Sequence, residues 1–521
     1  MKRIPTILAG IVSTTLIGMT PAHAAEIKIA QATDITSMDP QFANLPGNLT
    51  AAKHMFDSLT ELDPEGRLQP SLAESWSRVD ARTWEFRLRK GVVFQDGSPL
   101  TAEDVVYSLA RPATLTSSPA TLNGFLKDIS KAEVPQSGVV RLTTTTSLAV
   151  LPNYLAAVPI VSKKVTEGLK PEDFETGRGM VGTGPYKFVR FLRGDRLELV
   201  RNDKYWGKKP SFDKATLRIM PNAPARTAAL LSGEVDAITA APAADLPRIQ
   251  NNQNLTVYKK PTARVTFWVM NQYSDALPEG TDLAGKPLAV NPMKDVRVRL
   301  AFSKAIDREA IATRAMEGLG VATQNTIPSA MFGYNPDLKP ERPDLEGAKK
   351  LMAEAGYPNC FGLSLYARND NHPTEPIQAQ AVGQMLSRLG CKVKVESIPT
   401  SVLFTRANKL ELGMMLMSAG NDGGDMGVSL EYMFSNPTNN PFRKINIQTY
   451  DSPNFWKPLR EGLESVDDTK RAELYRQVSK VLHDEAGVLP TTLLVGAWAA
   501  RKGVRITPRF DERLYAFEAS E

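Results

Sequence analysis

Between residues 182 and 238 the chain packs several strand signals, tight turns and one helix signal into fewer than sixty positions. Tyr186-Lys187-Phe188-Val189 and Leu197-Glu198-Leu199-Val200 are β-type runs separated by the turn Arg193-Gly194-Asp195. Leu217 and Ile219 alternate with Thr216 and Arg218, the period of a strand with one buried face. Pro224 can open a helix, residues 225–231 are good helix formers, and Gly233 is placed to end it before a strand at 235–238. The stretch reads as a packed structural unit of strands and a helix. The stretch holds no catalytic candidate, which favours binding over chemistry.

At 521 residues the chain is too long for one small core, so two or more domains are expected. With 42% hydrophobic and 23% charged residues, global disorder is excluded. The net charge of +6 includes Lys2 and Arg3, and no basic run is interleaved with aromatics, so nucleic acid is not an expected partner. Lys2-Arg3, the apolar residues 4–19 and the small-x-small site Ala22-His23-Ala24 together predict a cleavable signal peptide over 1–24. No cysteine lies near that site, so a lipid anchor is not expected, and no later run is long enough to span a bilayer. The expected product is exported, periplasmic, monomeric and not membrane-embedded.

Cys360 and Cys391, the two cysteines of the chain, each precede a predicted strand, at 362–366 and 392–396. The residues between, 374–389, read as a helix closed by Gly390, which makes a βαβ unit with its two strand entries close together. In an oxidising compartment a Cys360–Cys391 disulfide is expected. Thr101 is placed to cap a helix whose first turn carries Glu103 and Asp104, and Asp344 to cap one at 345–355.

The motif at 182–238, with Gly182-Thr183-Gly184-Pro185-Tyr186 and Asn202-Asp203-Lys204-Tyr205-Trp206, resembles the family 5 solute-binding proteins of ATP-driven (ABC) importers. Ala73-Glu74-Ser75-Trp76 through Leu100-Thr101-Ala102-Glu103-Asp104-Val105 resembles the same family, as does Asp295-Val296-Arg297 through Ala305-Ile306-Asp307-Arg308. The resemblance implies an α/β, two-lobed periplasmic-binding-protein fold of the flytrap type, of the large peptide-receptor kind. The first lobe would comprise 25–264 and 495–521, with an extra subdomain at 60–180; the second would comprise 265–494 with the hinge crossovers. It further implies a receptor, not an enzyme, that needs no cofactor or metal. The receptor would bind a peptide-like solute between the lobes and deliver it to permease subunits in the membrane.

In α/β sheets ligands gather at the carboxyl ends of strands. Three such ends carry suitable groups. One holds Arg368, which by motif position matches the arginine that grips a ligand carboxylate in the family's dipeptide receptors. A guanidinium offers two parallel hydrogen bonds to a carboxylate, which a lysine cannot copy. Loss of Arg368 is therefore expected to weaken binding and leave the stability of the ligand-free protein nearly unchanged. The second end holds Ser418, Gly420, Asp422 and Asp425, with either aspartate able to meet a ligand ammonium; the third holds Asp34 and Ser37. On the first crossover Trp268 could form a stacking wall and Asn271 an amide donor. The loop from Met417 departs from the family's aromatic and Asp-Pro-Asp pattern, which leaves open a non-peptide ligand such as an opine, a glycoside or a nickel chelate. A secreted hydrolase is the rival from another class, but no G-x-S-x-G elbow or histidine cluster supplies its chemistry. Gly280 to Lys286 has phosphate-loop spacing, which Pro287 spoils.

Overall fold

The computed structural model describes residues 25–372, 374–420, 423–434 and 450–521. The expected signal segment at 1–24 and Asp422 lie outside the described residues. The strands in chain order are β1 (Glu26–Gln31), β2 (Thr60–Leu62), β3 (Leu68–Pro70), β4 (Ala73–Arg78), β5 (Thr83–Leu88), β6 (Ile129–Gln136) and β7 (Val139–Thr144). There follow β8 (Tyr186–Leu192), β9 (Arg196–Arg201), β10 (Lys214–Ile219), β11 (Ala237–Ile238), β12 (Leu255–Met270) and β13 (Gly320–Ala322). The last four are β14 (Gly362–Arg368), β15 (Lys392–Ile398), β16 (Met414–Ala419) and β17 (Leu489–Arg501).

Two lobes share one 11-stranded sheet of order β15-β14-β16-β12-β17-β11-β1-β10-β9-β8, with β13 also on β17. β12 and β17 are the seam between them. They pair antiparallel from Leu255↔Arg501 to Trp268↔Leu489, and the register slips between Pro261 and Val265. Beyond that slip β12 also pairs with β16, from Val265↔Ala419 to Met270↔Met414. Proline cannot donate to the ladder, so the break falls where one edge is already relaxed. β4 to β7 form a separate four-stranded sheet of the first lobe with its own apolar cluster around Phe86, Val140 and Leu142.

The motif at 182–238 is scaffold, and its glycines have a steric reason. A Cβ on Gly182 would stand 2.0 Å from the Met55 carbonyl oxygen, and the Gly184 N–H donates to that same oxygen at 3.0 Å. Between them Thr183 Oγ1 donates to the buried carboxylate of Asp57 at 2.8 Å. Trp206 Nε1 donates to it at 2.9 Å and the Tyr205 hydroxyl at 3.3 Å, so the two halves of the motif meet on one acid. Asn222 caps the helix Ala223–Ser232, and Gly233 ends it with φ of +78°. β11 is shorter than expected; just before it Asp236 bonds Lys28 through both its carboxylate, which accepts the Lys28 N–H at 2.8 Å, and its own N–H, which donates to the Lys28 carbonyl at 2.8 Å.

In the second lobe β14, the helix Glu375–Ser387 and β15 form the expected parallel βαβ unit, in register Gly362↔Lys392. That register places the cysteines side by side, and Cys360 and Cys391 are disulfide-bonded with Cα atoms 4.7 Å apart. Closing a loop of 31 residues contributes about 3–4 kcal/mol on the chain-entropy account. The capping box at Thr101–Asp104 forms, as does the Asp344 cap of the helix Leu345–Glu354.

Candidate functional site

A cleft of about 360 Å³ opens between the lobes. Its first-lobe wall is built by the helix Pro46–Met55, the turn Leu122–Phe125, the helix Leu151–Leu155 and the C-terminal segment carrying Arg509 to Tyr515. The second-lobe wall is built by the ends of β14 and β16 and the helix Thr400–Asn408. Arg368, Ser418 and Gly420 all line it.

Arg368 ends β14, every residue of which is buried. Its Nε and Nη2 donate to the two carboxylate oxygens of Glu375 at 2.9 and 2.6 Å, and Nη2 also donates to Ser418 Oγ at 2.9 Å. Glu375 opens the helix Glu375–Ser387, where the dipole of the backbone favours a negative charge. Arg368 is thus a guanidinium held in place by a buried acid on the lining of the cleft. Glu375 was missed in sequence; an acid seven positions after the arginine at a helix start is the signal that could have found it.

Asp425 lies elsewhere. Its side chain is 4% exposed, accepts from Arg471 Nη2 at 2.5 Å and from the Gly427 N–H at 2.8 Å, and does not line the cleft. Burial pushes its pKa up, opposed by the Arg471 charge. Asp425 therefore stands off the cleft wall with an arginine as its partner, an arrangement that does not favour its expected contact with a ligand ammonium. Trp268 is fully buried, in the core cluster of the second lobe that also holds Phe302, Leu365 and Leu416, and does not line the cleft. Asn271 is buried and braces its own loop, accepting from the N–H groups of Tyr273 and Ser274 at 3.2 and 3.0 Å. Asp34 is exposed, Ser37 is buried as acceptor for the Asp39 N–H at 3.2 Å, and neither lines the cleft.

The cleft also contains residues with no sequence motif to announce them. Arg264 comes from the slipped stretch of β12, and its Nε donates to Glu512 at 2.7 Å. Arg509 donates to Asp511 at 3.1 Å, to Glu518 at 2.6 Å and to the Leu62 carbonyl at 2.9 Å. The Arg513 guanidinium lies 3.5 Å from Asp511. Burial raises the Glu518 pKa to about 7, with the neighbouring Arg509 opposing it. The C-terminal segment is anchored behind the cleft by His54, whose Nε2 accepts the Ala516 N–H at 3.0 Å while Nδ1 faces the Thr50 carbonyl at 2.8 Å. Full burial lowers the His54 pKa to about 4.

Across the cleft mouth, Asn153 Nδ2 donates to the Gly423 carbonyl at 2.8 Å, and the Ala149 N–H donates to the Leu463 carbonyl at 2.9 Å. The extra subdomain therefore touches the second lobe directly. Among the described residues no group of three or more His, Cys, Asp or Glu could hold a metal ion, and no helix is long and apolar enough to cross a membrane.

The profile of the bacterial extracellular solute-binding proteins, family 5 (middle region), matches residues 67–441. The dipeptide-binding protein of Escherichia coli K12 is 27% identical over 448 residues, covering 81% of this chain and 80% of that one. The glutathione-binding protein of the same strain is 25% identical over 486 residues, covering 92% and 91%. The structure of HbpA2 from Haemophilus parasuis superposes with a TM-score of 0.81 at 22% identity, covering 95% of this chain and 99% of that one. With the profile spanning well over half of the sequence and the two-lobed fold shared end to end, this chain belongs to the family 5 bacterial extracellular solute-binding proteins.

Proposed function

We propose that this chain is the periplasmic receptor of an ABC importer, that it binds a small peptide-like solute carrying a free carboxylate, and that it presents the closed complex to the permease. The observation that carries this reading is Arg368, buried at the end of β14 yet lining the interlobe cleft. A guanidinium fixed by Glu375 loses little freedom when a carboxylate arrives, and in a water-poor cleft a charge-assisted hydrogen bond is about twice as strong as a neutral one. Two relatives are named for binding a dipeptide and glutathione, which supports the solute class. Lobe closure and binding form one linked equilibrium, because the ligand touches both walls only when they meet. The reaction has no covalent step.

Native mass spectrometry of the exported protein, isolated without denaturation, tests the reading. The expected result is a retained peptide or peptide-like acid, displaced by added dipeptide. Retention of an uncharged molecule that dipeptides do not displace would overturn it.

A further inference from the structure

A second cavity, of about 10 Å³, lies within the second lobe and shares no residue with the interlobe cleft. A space of that size holds one water-sized body. Ser303, Arg308, Gln324, Thr326, Ser479 and His483 give it polar walls, where the helices Val296–Ala305 and Asp468–Asp484 meet the start of β17. Arg308 is 3% exposed. Its Nε donates to the Pro490 carbonyl at 2.8 Å, Nη1 to the Ser303 carbonyl at 3.0 Å and Nη2 to Ser303 Oγ at 2.9 Å. Of the guanidinium's donors, one on each Nη is left over. Among the described residues Arg308 has no ion-pair partner; the carboxylate whose charge reaches it, Glu341, is exposed and off the cavity wall. Burial lowers the Arg308 pKa to about 10, so the group is still charged at neutral pH.

Two more polar groups on the wall are unmatched. Gln324 is 6% exposed and makes no side-chain hydrogen bond among the described residues. The Thr326 hydroxyl, on a residue 5% exposed, is likewise without a partner there. His483 turns Nδ1 toward Asp484 at 3.2 Å, and Ser479 Oγ donates to the Tyr475 carbonyl at 3.0 Å, so neither brings a negative charge to the cavity.

We propose that this cavity binds one small monovalent anion of chloride size, held by the Arg308 guanidinium, the Gln324 amide and the Thr326 hydroxyl. A buried cation is stable where an opposite charge meets it, and all three of these groups can donate to that charge. A water molecule would satisfy some of the donors but cancel no charge. Phosphate or sulfate is too bulky for a space that holds one water. The ion would tie two helices to β17, so it acts on the stability of the second lobe and leaves the interlobe cleft alone.

The test uses the intact exported protein freed of halide. Its melting midpoint is expected to be at least about 2 °C higher in sodium chloride than in sodium gluconate of equal ionic strength. Crystals grown with sodium bromide should show an anomalous peak within hydrogen-bond reach of Arg308, Gln324 and Thr326. Gln324→Glu supplies a carboxylate from the chain itself and should make the midpoint indifferent to the salt. Equal midpoints for the wild type in the two salts would overturn the proposal, and a bromide peak accompanied by equal midpoints would mean an adventitious ion only. A chloride effect that persists in full in Gln324→Glu would place the ion elsewhere and overturn the assignment. If that variant fails to fold, the bromide map and the two wild-type melts still decide.

Discussion

Arg368 gives Nε and Nη2 to the two oxygens of Glu375, and the two side chains are 6% and 1% exposed. The arginine expected to wait freely for a ligand is therefore also half of a buried ion pair. Removing one member of such a pair strands the other in a medium that solvates it poorly. Arg368→Ala should accordingly lower the unfolding free energy of the ligand-free protein by about 3 kcal/mol, contrary to the expectation from sequence. Arg368→Met with Glu375→Gln should recover most of that loss and still bind a carboxylated ligand at least about tenfold more weakly. Denaturant melts and calorimetry on both variants separate the two roles; wild-type affinity in the stable double variant would remove Arg368 from the site.

Asn153 tests the contact at the cleft mouth. Its hydrogen bond to the Gly423 carbonyl exists only while the lobes are together. Asn153→Ala should leave the melting temperature of the ligand-free protein nearly unchanged and weaken ligand binding about fivefold, the worth of roughly one hydrogen bond. The same variant should scatter X-rays as a more open particle; an unchanged affinity would show that this bond does not bias closure.

Asp57 joins the two halves of the 182–238 motif through Thr183, Tyr205 and Trp206. Burial raises its pKa, so charge is not what the site needs most; an acceptor is. Asp57→Asn keeps an acceptor oxygen and should cost about 1 kcal/mol, whereas Asp57→Ala leaves buried donors unmatched and should cost about 3 kcal/mol. Urea unfolding of both variants would check the order, and equal losses would argue against this account.

The C-terminal segment and the His54 that anchors it carry two titrations of opposite sign. His54 has a folded pKa near 4, below its ordinary value of 6.5, so its contribution is present above 6.5 and is lost as pH falls toward 4. Glu518 has a folded pKa near 7, above its ordinary 4.5, so its contribution is present below 4.5 and is lost as pH rises toward 7. Between about pH 4.5 and 6.5 the two slopes oppose each other. Glu518→Gln removes the second alone, so its melting temperature should rise from pH 5 to pH 6.5 more steeply than that of the wild type. Parallel melting curves for the two proteins across that range would contradict the assignment.

Strand periodicity, the caps at Thr101 and Asp344, the stop at Gly233 and the Cys360–Cys391 pairing were legible in order along the chain, because each depends on neighbours or on one βαβ unit. Arg368 was legible as a residue at a strand end, but its acid partner was not. Asp425 read as a loop acid able to meet a ligand ammonium, and only the fold brings Arg471 to it from 46 positions away. Arg509 and Arg513 carry no periodicity at all; they reach the cleft because β17 returns the chain to the first lobe, where Arg509 meets Leu62 from 447 positions away. Backbone pattern is written locally, since turns, caps and alternating faces need only a few adjacent residues. The partner of a charge is set by which surfaces the packed core brings together, and that belongs to the tertiary structure.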